Sequence, residues 1–184
     1  MQNLTQRTAF VLACALLCAA HGGSAQQAPT IPMDPIAVYL MQDCGTGEAD
    51  ASLPLERVVT LGEAAVGRLV TALRQGPDAE LLQKLERQAA EDYKRLADFV
   101  SGGGLANLVE AEVAEAARQI QEADYVAARL QSLDIGHREH ALHALERIGG
   151  PRVRKALQET AAQAEIDPRL RRWVLAALDR LAVP

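Results

Sequence analysis

The chain has 184 residues, a formal net charge of -5 and 49% hydrophobic residues, with aromatics only 3% of the whole. That length suits one domain, or a domain with an appendage, and a chain of this size buries enough surface to fold without a disulfide framework. Abundant Ala, Leu, Glu and Arg with so few aromatics point to helices rather than a β-sandwich or barrel, and the mild acidity gives no general affinity for nucleic acid.

Residues 1–25 read MQNLTQRTAFVLACALLCAAHGGSA. Arg7 precedes an apolar run from Thr8 to Ala20, and Gly23 and Ala25 are the small residues expected before a cut at Gln26. Polar start, short apolar middle and small-residue exit describe a secretory signal peptide. The apolar run is shorter than the about 20 residues of a membrane span, which disfavours a retained anchor. The expected product is periplasmic or secreted, with no stable membrane insertion after cleavage. Cys14 and Cys18 leave with the signal, so Cys44 is the sole remaining thiol. In an oxidising compartment such a thiol is either buried or bridges two chains. Its setting, DCGTGEAD, is Gly-rich and polar, which makes Cys44 a candidate intermolecular disulfide and the protein a candidate homodimer.

Residues 26–34, QQAPTIPMD, are expected to form a flexible Pro-rich leader, and residues 35–184 a single helical domain. Asp34 before Pro35 pairs an N-cap side chain with proline at the first helical position, starting PIAVYLMQD. Ser52 caps LPLERVVTL, Gly62 interrupts it, and EAAVGRLVTALRQ runs to Gly76-Pro77. A long helix follows from Asp78 to about Val100, its stripe formed by Leu81, Leu82, Leu85, Ala89, Tyr93, Leu96 and Phe99 at a 3.6-residue period. Gly102-Gly103-Gly104 ends it. Leu105–Gln119 and Asp124–Leu133 read as further helices, with Ile135-Gly136 separating the latter from HREHALHALERI. After Gly149-Gly150-Pro151 comes RVRKALQETAAQAE, and Asp167-Pro168 opens the last helix, RLRRWVLAALDRLA. No stretch alternates with period 2, so no strand is expected.

An offset of 33 superposes HREHALHALERI on RLRRWVLAALDRL, matching Leu142 with Leu175, Ala144 with Ala177, Leu145 with Leu178 and Arg147 with Arg180. An offset of 72 places Ala72 and Leu73 on Ala144 and Leu145. These A-L pairs followed by a glycine stop resemble the second helices of HEAT-type repeats. The resemblance covers roughly 52–183 and is strongest over 136–181, whereas the stretch from Asp78 to Gln119 departs from it. It implies an all-α fold, a right-handed α-solenoid of about four helix pairs in which neighbours bury each other's apolar stripes. A closed helical bundle is the alternative that ordinary core packing offers.

Chemistry is sparse. His137, His140 and His143 fan over roughly 120° of one helix surface, but the i, i+4 pairing of a metal helix is absent, so solvated surface histidines are expected and no metal or cofactor is assigned. No G-x-S-x-G surrounds a serine, and Gly102-Gly103-Gly104 lacks the Lys-Ser/Thr ending of a phosphate loop. The expectation is therefore a non-catalytic scaffold that binds a protein partner. The alternatives are a lyase, since some HEAT-like proteins attach pigments, and a purely structural envelope component. The offsets align Arg68, Gln75, His140, Arg147, Trp173 and Arg180 along one side of a regular solenoid as the partner-binding ridge; Trp and Arg are frequent interface anchors. The bland role for Trp173 is to cap the last repeat with Arg169 stacked on its ring. Residues 26–136 hold 9 basic and 18 acidic side chains and residues 137–184 hold 9 and 6, a gradient able to orient a partner.

Overall fold

The computed structural model describes residues 34–41, 52–104 and 109–182. The signal segment, most of the leader and Cys44 lie outside the described residues. Those described form eight helices and no strand: α1 Pro35–Leu40, α2 Ser52–Thr60, α3 Glu63–Gln75, α4 Ala79–Ser101, α5 Ala111–Arg118, α6 Glu122–Ile148, α7 Gly150–Ala161 and α8 Pro168–Ala182. The protein is all-α.

Local chemistry explains most boundaries. Asp34 Oδ1 accepts from the Ile36 amide at 3.2 Å, and Asp167 Oδ1 accepts from Arg169 and Leu170 at 2.7 and 3.1 Å. These bonds satisfy amides that have no intrahelical partner, ahead of a proline that needs none. Backbone donation to the Asp167 carboxylate holds it below its ordinary range. Gly62 and Gly149 adopt positive φ at the α2–α3 and α6–α7 breaks, where a Cβ would be strained.

Two boundaries differ from expectation. α6 runs unbroken through Ile135-Gly136; one interior glycine costs only about 1 kcal/mol relative to Ala, less than the packing of its neighbours returns. α5 starts at Ala111 rather than near Leu105, because Glu110 is extended at φ -60° and ψ 149°.

The helices cluster into two compact units. One is Ala79–Ser132. It buries Leu96, Val100, Ala114, Ala117 and Tyr125, with Tyr93 packed against them. The expected α4 stripe holds at Leu85, Ala89 and Leu96, but Leu82 and Phe99 are exposed and Asp92 is buried instead, 3.7 Å from Arg95. Phe99 lies over the chain reversal at Gly104, where any Cβ would collide with its ring; the glycine, not the core, accommodates it.

The other unit comprises the described parts of Pro29–Asp78 and Leu133–Pro184. Its core gathers Val58 from α2, Leu69 and Leu73 from α3, Ala141, Ala144 and Leu145 from α6, Val153 and Leu157 from α7, and Val174 and Ala177 from α8. Alanines let the helices approach and leucines fill between them. Polar braces cross this core. Arg138 on α6 sets Nε at 3.0 Å from both Asp134 oxygens and donates from Nη1 to the Leu73 and Arg74 carbonyls at the end of α3, at 2.9 and 2.7 Å. Arg74 in turn donates from Nε to Thr160 Oγ1 on α7 at 2.9 Å. Thr160 is fully buried, and its hydroxyl donates a hydrogen bond to the Ala156 carbonyl at 2.8 Å.

Candidate functional site

All six ridge residues belong to the second unit, and the structure sets most of them against helices of that same unit. Arg68 on α3 pairs with Asp34 at the head of α1; this bond holds the Asp34 carboxyl below its ordinary range and raises the guanidinium. Gln75 ends α3 and Arg147 sits in the last turn of α6, both exposed. His140 is half-buried, its ring centroid 5.1 Å from that of Tyr39. Arg180 on α8 reaches Glu146 Oε1 on α6, 2.9 Å from Nε. Trp173 is half-buried against the core, with the Arg169 guanidinium 5.3 Å above its ring. Four of the six thus pair with residues outside the set: Asp34, Tyr39, Glu146 and Arg169.

The three histidines need correcting. His137 is not a solvated side chain but buried, at 9% exposure. The reason is α1, which lies nearly a hundred residues away in sequence and covers this side of α6. Tyr39 places its hydroxyl 3.2 Å from His143 Nδ1 and its ring against His140, and His137 hydrogen-bonds the Leu40 backbone. Burial pushes the His137 imidazole below its ordinary value, assisted by His140 and Arg138 and opposed by Asp134 and the Leu40 bond. His143 alone is exposed, as expected.

Sequence reasoning missed Tyr39, Arg138, Arg74 and Thr160. Arg74 and Arg138 carried a faint signal: each is an arginine set in an otherwise apolar or capping context, at the end of α3 and two residues beyond Gly136. What each would meet across the core was not readable.

Among the described residues no three His, Cys, Asp or Glu side chains converge on a point where a metal could sit, and no helix is long and apolar enough to cross a membrane. No family model, curated protein or solved structure matches the chain.

Proposed function

We propose that the protein is an exported, non-catalytic scaffold of HEAT-like helix pairs that binds another protein through the outer face of its last helix. The supporting observation is Leu175. Its counterpart at the offset of 33, Leu142, is buried at 6% exposure, whereas Leu175 is 48% exposed. On the same helix Trp173 remains half in solvent beside Arg169. A large aliphatic left outside where its counterpart is buried offers the apolar centre of an interface, and Trp173 with Arg169 adds, on another side of the same helix, the residue types that most often anchor one.

Affinity capture from envelope extract tests this. Wild-type protein is expected to retain a stoichiometric partner that Leu175→Glu and Arg180→Glu release while circular dichroism shows both variants folded. A small molecule turned over by the purified chain, or equal capture by all three proteins, overturns the proposal.

One observation favours a second role for Trp173: its packing against the core suits a cap that closes the end of the repeat stack. A cap predicts that Trp173→Ala lowers the melting temperature, whereas an anchor alone predicts weaker capture at an unchanged melting temperature.

A further inference from the structure

α1 is six residues long. Isolated helices shorter than about 12 residues are marginal in water, so its order derives from what it docks on. Three attachments are visible. At its head, Asp34 caps the first turn and pairs with Arg68 of α3. Along its inner side, Ile36, Tyr39 and Leu40 join the core cluster. At its tail it meets three histidines of α6: His137 bonds to the Leu40 backbone, His140 lies against the Tyr39 ring and His143 Nδ1 is 3.2 Å from the Tyr39 hydroxyl.

The three-histidine face is an unusual choice for a seat. The same helix carries Asp134 and Arg138, which neutralise each other and brace α3. Among the described residues the charged and titratable groups facing the seat are Asp134, Arg138, His140 and His143 on α6, Tyr39 on α1, and the Arg68–Asp34 pair closing the opposite end of α1. Among the described residues Asp134 is the one acid acting on His137, and both its oxygens are already engaged by Arg138 Nε. A proton added to His137 would place a cation under Leu40 whose one described carboxylate is already shared, beside one arginine and a second histidine. Buried charges of that kind are expelled rather than tolerated.

We propose that α1 is a latch released by mild acid: protonation of the buried His137 on α6 undocks Pro35–Leu40 and uncovers the apolar surface beneath it. At neutral pH the His137 imidazole is uncharged and donates to Leu40, and Ile36, Tyr39 and Leu40 stay buried. On acidification the undocked state, in which His137 is solvated and binds its proton at the ordinary affinity, gains over the docked one. Each unit by which the docked imidazole is harder to protonate than the free one gives about a tenfold change in the docking equilibrium.

Hydrogen exchange of the Val38, Tyr39, Leu40 and Met41 amides, expressed as protection so that the intrinsic pH dependence cancels, tests the latch on the full chain. Between about pH 7.5 and about pH 5, protection over α1 is expected to fall roughly tenfold or more, while α8 keeps its own. His137→Gln, which can still donate a hydrogen bond to Leu40 but cannot ionise, is expected to abolish the pH dependence. Unchanged protection in the wild type overturns the latch, as does an equal fall in His137→Gln or a parallel loss over α8. If His137→Gln does not fold, the imidazole resonance of His137 decides in the wild type. It must titrate together with α1 release, and titration at or above the ordinary value of 6.5, or separate from release, overturns the proposal.

Discussion

The two units hold their helices together in different ways. Among the described residues of Ala79–Ser132 five buried side chains form its apolar cluster, with Leu85 and Ala89 buried outside it, and its one clear anchor is a pair of tyrosines, with Tyr93 and Tyr125 ring centroids 5.7 Å apart. Tyr93 donates to the Ile120 carbonyl at 3.0 Å, tying α4 to the residue just past α5. The other unit gathers eighteen buried residues among those described, drawn from six helices, and stitches them with Arg138 and Arg74 across separations of more than sixty residues. Hydrophobic stabilisation follows the apolar area removed from water. The second unit is therefore the stability centre, and Ala79–Ser132 belongs to the part of the molecule that opens first.

The largest effect is expected at Leu145, which is fully buried in the second unit. Leu145→Ala should cost about 2–5 kcal/mol, the sum of lost transfer energy and a cavity, read from the urea midpoint of that unit. The matched change in the other unit, Tyr125→Ala, should remove protection across Ala79–Ser132 while leaving the second unit's midpoint near wild type; a common shift of both would erase the distinction.

Next in size is Gly76, at φ +73°, where an added Cβ would meet Asp134 Oδ1 and lie 2.8 Å from Arg138 Nη2. Gly76→Ala should cost about 1–2 kcal/mol for the left-handed backbone, and more where it displaces the brace from the α3 carbonyls. Arg138→Ala should approach the same loss through unsatisfied carbonyls, at about 1–3 kcal/mol. A Gly76→Ala protein with unchanged thermal stability would show that the brace is not tight.

Acid should separate three groups. His137 binds its proton less readily when folded, so stability is full above its ordinary value of 6.5 and declines as pH falls below it toward the lowered folded value. Asp34 and Asp167 have lowered folded values, so their contribution is present above 3.8 and fades only below it. The thermal midpoint of the second unit should thus begin to drop near pH 6.5, before Asp34 and Asp167 take up protons, and His137→Gln should remove that first step. A midpoint flat from neutrality down to the carboxylate range would contradict this.

The smallest effect is expected at Arg180, whose side chain is 62% exposed although paired with Glu146. Exposed pairs contribute at most about 1 kcal/mol, so Arg180→Glu should barely move the melting temperature; a large shift would mean that this bond holds α8 in place.

What was legible in the sequence was local. Asp34-Pro35, Asp167-Pro168, Gly62 and Gly149 mark helix ends through bonds made within a few residues, and the Leu170, Val174, Ala177 stripe follows from helical period alone. The histidine face was visible as a spacing, yet its burial depended on α1, whose docking is a long-range contact no local signal encodes. Gly136 illustrates the reverse: a residue whose local preference favours a break is carried through α6 by the packing of Ala141, Leu142 and Leu145 on one side. The proposed ridge treated Arg68 and Arg180 as outward anchors because their partners, Asp34 and Glu146, lie thirty-four residues away in each case.

The contrast between the units is tested most directly along α6, whose residues 122–132 belong to one and 133–148 to the other. Native-state hydrogen exchange compares amides within this single helix. Protection is expected to rise from the Tyr125–Leu130 stretch to the Ala141–Leu145 stretch by about tenfold or more, the ratio that a difference of about 1.4 kcal/mol in opening free energy produces. Equal protection along the whole of α6, or greater protection at its start, would contradict the account.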